Sequence, residues 1–212
     1  GSINSTVSVN TNAGFSIVNY TYGSGANTIG HGLSKAPEMI LMKNRDTSNN
    51  WDVYHVDVGP TKRLILNNTD TPDTNVGPWN NTTPTSTVFS TNNWLDAGSV
   101  IAYCFHSVDG YSAVGSYIGN DNADGTFVYT GFKPAFVLIK NTVTSGEGFV
   151  IFNNKSDPSN VVGTYLTAYG STAEQGTANT TSSRSMDFTS NGFKLRGNST
   201  EINDGEIMIY MA

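Results

Sequence analysis

Three histidines, five glutamates, twelve aspartates and a single cysteine are the side chains of this 212-residue chain best suited to acid–base, nucleophilic or metal chemistry. His31, His55 and His106 stand far apart, and none falls in an HxH or HExxH spacing that would aim two imidazoles at one metal ion. The glutamates (38, 147, 174, 201 and 206) are scattered, whereas glycoside hydrolysis needs two carboxylates facing each other across a cleft. Many aspartates stand in turn contexts: Asp109-Gly110, Asp124-Gly125, Asp204-Gly205 and Asp157-Pro158. There their side chains accept hydrogen bonds from nearby backbone N–H groups. The segment "DNADG" (121–125) opens like a calcium loop, but position 131 is Gly131 where the bidentate glutamate should be, so it reads as a hairpin turn. Cys104 lies in the apolar stretch "SVIAYCFHSV", and a lone cysteine allows neither an intrachain disulfide nor a multi-cysteine metal site. The chain also lacks GxSxG, a P-loop, and a GxGxxG entering a helix. The expectation is a non-enzyme, with no catalytic residue, no metal and no cofactor.

Aromatic side chains beside amides are the remaining chemistry. A tryptophan face and neighbouring Asn or Asp groups can together hold a sugar ring. Trp51 opens an apolar run and reads as core, whereas Trp79 and Trp94 stand in polar loops, "GPWNNTTPT" and "TNNWLDAG". The candidate ligand-binding residues are therefore Trp79, Trp94, Asn80, Asn81 and Asn93. The N-x-[ST] sequons, Asn67 and Asn198 among them, are expected by accident in a chain so rich in Asn and Thr.

Composition narrows the partners. Charged residues make up 13% of the chain, with a formal net charge of −6 and a pI near 4.8. Few cations and an acidic balance argue against binding nucleic-acid phosphates or anionic membranes. No apolar run approaches the ~20 residues of a helical membrane span.

The elements that must position these residues are strands. Helical periodicity is absent, and short runs of β-branched and aromatic residues recur between turn formers. One set covers 15–22, 38–43, 51–56, 62–66, 86–90 and 99–107. The second covers 111–118, 126–130, 135–140, 148–153, 161–169, 185–189, 192–196 and 206–211. The sets are copies. "PEMILMKN" (37–44) matches "PAFVLIKN" (134–141) at an offset of 97, "GFSIVNYTYG" (14–23) matches "GYSAVGSYIG" (110–119) at 96, and "TSTVF" (85–89) matches "TSNGF" (189–193) at 104. "AGSVIAYC" (97–104) matches "DGEIMIYM" (204–211) at 107. The matched segments keep their order, as loop insertions in a duplicated unit would leave them.

The predicted fold is all-β, two tandem, duplicated β-sandwich units of jelly-roll-like type: 14–108 and 109–212, about 100 residues each. Residues 1–13 precede both; Gly1-Ser2 reads as a residual tag, followed by a linker or a strand docked on the first unit. "MILM" and "FVLI" run apolar without alternation, so each is expected to be covered on both faces. The following Lys43-Asn44 and Lys140-Asn141 are expected to leave for solvent. Because the second copy puts Thr130 where the first has His31, that histidine reads as structural.

With these blocks in hand, the chain resembles a known family, the tandem-repeat β-domain of tail-fibre and other virion proteins of mostly marine tailed bacteriophages. The likeness runs over about residues 14–212 and rests on "TIGHGLSKAPEMILMKNR", "YCFHSVDGYSAVGSYIGN", "DGTFVYTGFKPAFVLIK" and "SNGFKLR". Lys133 stands where that family usually has arginine, and the chain ends at "YMA" before the family's usual ending, as a piece of a longer fibre protein would. The resemblance implies a virion structural module at the particle surface or tail, outside the cell, that contributes to host attachment. Its implied partners are other virion proteins, further copies of itself (a trimer foremost) and a host-surface glycan. It implies no catalytic residues. A lectin-like carbohydrate-binding module is the alternative, and a polysaccharide depolymerase stands behind it.

Overall fold

The computed structural model describes residues 1–74 and 78–212 and is all-β. It divides into two compact units, Gly1–Leu66 with Pro72–Val108, and Asp109–Ala212 with Asn67–Thr71.

The first unit contains β1 (Ser5–Asn10), β2 (Phe15–Tyr22), β3 (Asn27–Gly30), β4 (Met39–Asn44), β5 (Asp52–His55), β6 (Leu64–Ile65), β7 (Val88–Thr91) and β8 (Gly98–Phe105). Six of these form an antiparallel sheet in the order β1-β2-β8-β4-β5-β6, and β3 and β7 pair separately. Alternation explains the layering: on β8, Val100, Ala102 and Cys104 are buried while Ile101, Tyr103 and Phe105 are only partly so. The inward residues meet Ile29 and Phe89 of the small sheet in one core with Val18, Tyr20, Ile40, Met42 and Tyr54. Residues 3–13 supply β1, whose Val7 packs on that core, so this segment is a docked strand.

The second unit contains β9 (Val114–Ile118), β10 (Phe127–Tyr129), β11 (Phe136–Asn141), β12 (Val150–Asn153), β13 (Thr164–Thr167), β14 (Gln175–Gly176), β15 (Met186–Thr189), β16 (Gly192–Leu195), a single helical turn α1 (Thr200–Asn203) and β17 (Ile207–Met211). Its large sheet runs β14-β13-β12-β11-β17-β9 and its small one β10-β16-β15. The order β9-β17-β11-β12-β13 repeats β2-β8-β4-β5-β6, so each unit is a β-sandwich and the duplication extends to strand order. The four residues of α1, capped by Ser199, are too few to show a helical period in the sequence.

Strand register corrects two of the sequence offsets by one residue. Leu41 and Ile17 flank Tyr103 across the first sheet; Leu138 and Val114 flank Met211 across the second. Hence Tyr20 corresponds to Tyr117, and Ala102 to Tyr210, at offsets of 97 and 108 instead of 96 and 107. The distinction matters because a one-residue slip moves every side chain to the other face. The corrected register also exposes a volume exchange. The cross-strand pair Val18–Ala102 becomes Gly115–Tyr210, and a Cβ on Gly115 would sit 3.2 Å from the Tyr210 ring.

The lysine–asparagine pairs do not leave for solvent. Lys140 and Asn141 are both wholly buried, as is Asn44, while Lys43 is half-buried and donates to Asn44 O and Thr47 O, each at 2.8 Å. The long apolar runs are covered on both faces only in part: on β11 Val137 and Ile139 lie in the core and Leu138 on the opposite face is 4% exposed, but Phe136 on that face is exposed, and on β4 Leu41 is half-buried.

Candidate functional site

Of the five candidate residues, the structure gathers one at a cavity. Trp79 is a correction: it is 1% exposed, packed edge-on to Tyr54 with ring centroids 5.6 Å apart, and belongs to the first unit's core. It offers no face to a ligand. Polar neighbours in the sequence hid this, because a loop can send one large side chain under a sheet end while its amides stay outside. Asn80 and Asn81 follow with φ of 49° and 48°, left-handed conformations that asparagine tolerates in turns. Asn93 ties a loop: its Oδ1 accepts from Gly25 N at 2.5 Å and from Tyr22 Oη at 3.3 Å. Trp94 is half-buried and lines the cavity.

That cavity, about 460 Å³, lies in the first unit between the loop after β4 and the loop before β8. Ser48, Asn49, Asp52, Arg63, Trp94 and Asp96 form its wall. Asp52 begins β5 and Arg63 stands just before β6, so two neighbouring strands bring them together. Arg63 Nη1 meets Asp52 Oδ1 at 3.2 Å, and its Nε meets Asp73 Oδ2 at 3.3 Å. Arg63 and Asp73 also exchange both backbone hydrogen bonds at 2.9 Å, which pins the intervening loop. The guanidinium carbon lies 4.0 Å from the centroid of the Trp94 ring, a cation–π contact that covers part of one indole face. Opposite, Asp96 accepts from Asn49 Nδ2 at 3.1 Å through its carboxylate and from the buried Asn44 Nδ2 at 2.7 Å through its backbone carbonyl.

Burial pushes the Asp52 carboxyl up to about 6, against the opposing pull of Arg63 and Lys43. Both cations are committed, Arg63 to two aspartates and Lys43 to two carbonyl oxygens. The cavity can therefore accept and donate hydrogen bonds and pack an apolar surface on Trp94, but among the described residues its wall presents no uncommitted cation to an anion.

The corresponding place in the second unit is built differently, with an arginine from another segment, Arg184, donating to Tyr165 Oη at 2.8 Å. Tyr54 aligns with Phe152 and Leu66 with Ala168 by register, which sets Val150 where Asp52 stands and Tyr165 where Arg63 stands. Val150 and Tyr165 belong to the core. Sequence reading missed Asp52, Arg63 and Asp96; the corrected alignment, with charges against Val and Tyr, is the signal that would have found the first two.

Two of the three histidines are tied to nearby backbone. His31 is wholly buried, accepts from Leu33 N at 3.1 Å through Nδ1 and reaches Thr85 O at 3.0 Å through Nε2, and burial holds its pKa down. His55 accepts from Asp57 N at 3.2 Å. In the second unit Glu201, 1% exposed, accepts from Tyr169 Oη at 2.6 Å and ion-pairs with Arg184. Those contacts fasten α1 and leave the carboxylate enclosed. The "DNADG" segment is a turn held by Asn120 and Asn122, with Asp124 paired to Lys194 at 2.8 Å.

No curated protein and no solved structure matches the chain. One family model does, over residues 1–212, and by that match the chain belongs to the family described as Domain of unknown function (DUF7483).

Proposed function

We propose that this protein is a non-enzymatic structural module of a tailed-phage virion, a tail-fibre or particle-surface part that contributes to host attachment. The observation that carries the reading is the pairing of a duplicated sandwich frame with one polar, tryptophan-lined cavity in the loops where the copies differ. A frame of repeated sandwiches spaces a contact surface, and assembly of several copies multiplies a weak contact into avidity. The sequence blocks that resemble phage fibre domains support the same reading. Its partners are other virion proteins and further copies of itself, a trimer foremost, outside the host cell.

Immunogold electron microscopy tests this. Antibody raised against the chain should decorate the tail or surface of phage particles that encode it. Particles free of label, with the antigen confined to the soluble fraction of infected cells, would refute the proposal. Light scattering of the purified chain should give the mass of a trimer.

A carbohydrate-binding module is the second reading, favoured by the Trp94 cavity. Incubation with host polysaccharide separates it from a depolymerase, which alone would release new reducing ends.

A further inference from the structure

We infer that the Trp94 cavity binds one neutral saccharide unit, and that the chain carries this site once, in the first sandwich only. The inference deepens the attachment reading proposed above and rests on it. Its first support is a polar pair that the fold does not need. Asp52 and Arg63 are mostly buried, with side-chain exposures of 4% and 13%, and burying an ion pair is often no better for stability than an apolar pair of similar size. The second sandwich has the same strand order and fills those positions with Val150 and Tyr165. A cross-strand aspartate–arginine pair kept where the sister copy has Val150 and a tyrosine held by Arg184 is a local departure from the fold's own solution, and such departures mark functional sites.

The second support is the ligand class that the wall selects. A volume of about 460 Å³ falls within the ~300–1,000 Å³ range of small-molecule sites. Asn49, Ser48 and Asp96 offer the donors and acceptors that hydroxyl groups need, and Trp94 offers an apolar wall for the C–H face of a pyranose ring. Among the lining residues the carboxylates of Asp52 and Asp96 outnumber the single cation, Arg63, which a further carboxylate, Asp73, also engages. An anionic sugar or a phosphate would meet uncompensated negative charge here.

Titration calorimetry with the methyl glycosides of glucose, galactose, mannose, N-acetylglucosamine and N-acetylneuraminic acid tests the inference. At least one neutral glycoside should bind, with a stoichiometry of one per chain, and the anionic neuraminic acid should not. Trp94→Ala should weaken binding about tenfold or more. The double substitution Asp52→Val with Arg63→Tyr imports the second copy's solution and should abolish binding while the thermal unfolding transition persists. If that double variant fails to fold, Trp94→Ala alone decides. Any one of four results overturns the inference: no neutral glycoside bound at millimolar concentration by folded protein, two sites per chain, preference for the anionic sugar, or undiminished affinity in Trp94→Ala. Immunogold labelling of particles would stand in each of these cases, so failure here is distinct from failure of the virion reading.

Discussion

Asn44 and Asn141 stand at the same point of the two copies, the last residue of β4 and of β11, and each ties its strand to the segment that enters the neighbouring strand, a loop before β8 and α1 before β17. The Asn44 amide donates to Asp96 O and the Asn141 amide to Thr200 O, both at 2.7 Å. Each carbonyl oxygen also accepts from the backbone just downstream, Asp46 N at 2.9 Å and Val143 N at 2.8 Å. The duplicated "KN" ending therefore preserves a buried clamp, and in the first copy that clamp holds the Asp96 wall of the cavity.

Truncating the clamp should cost stability in proportion to the bonds it makes. Asn141 adds Asp204 Oδ2 at 2.9 Å and Thr144 N at 2.9 Å, for four bonds against the two of Asn44. A buried partner left unsatisfied costs ~1–3 kcal/mol. Asn141→Ala is expected to lose on the order of 3 kcal/mol or more in urea unfolding, and Asn44→Ala about 2 kcal/mol. Equal losses would show that the extra bonds of Asn141 contribute nothing.

The two loop tryptophans should separate cleanly. Trp79 fills the core, so Trp79→Ala should cost ~3–5 kcal/mol through lost burial and the cavity left behind. Its Nε1 is buried and has no hydrogen-bond partner among the described residues, so Trp79→Phe removes an unsatisfied donor as well as volume. That variant should retain most of the stability. Trp94→Ala should cost under about 1 kcal/mol, since its ring is half-buried against a cavity. Chemical denaturation of the three variants checks the ranking, and a Trp94 loss as large as that of Trp79 would contradict it.

The same pair marks where sequence reading succeeds and stops. Runs such as "FSIVNYTY" and "SVIAYCF" carry the alternation of a sheet with one inward face, so β2 and β8 were legible, as was the duplication. Strands such as β3 and β14 were not, because NTIG and QG hold a single large apolar side chain, Ile29, between them and so show no alternation. The one-residue register error arose because identities (Gly14 with Gly110, Tyr103 with Tyr210) pull an alignment one way. Facing is fixed instead by backbone pairing, and Gly115 opposite Tyr210 keeps the layer filled. The fate of Trp79 and of Lys140 depends on which loop or strand end lies above them, and composition carries no record of that.

Cys104 faces the first core and is wholly buried, and burial pushes its thiol up to about 12. The thiolate is the reactive form, so native protein at pH 8 should not react with a disulfide reagent on the timescale of minutes. In denaturant one thiol per chain should react at once. Fast reaction of the native protein would mean that the first sandwich opens readily.

Lys140 gives a pH signature. It is wholly buried at the end of β11 and donates to Glu147 O. Burial pushes its ammonium down from the ordinary 10.5 to about 8, although the charges of Glu147, Asp70 and Glu201 pull the other way. Between pH 8 and 10.5 the unfolded chain therefore binds more protons at this site than the folded one, and stability contributed by the site must rise with pH across that window. Below pH 8 both states are protonated there, and the site's contribution is level. Lys140→Met keeps the stem and removes the titration. The wild-type unfolding free energy minus that of Lys140→Met should accordingly be flat from pH 6 to 7.5 and climb from pH 8 to 10. A difference that stays constant through pH 10 would show that the ammonium keeps its ordinary proton affinity, and that Lys140 reaches solvent more freely than its burial implies.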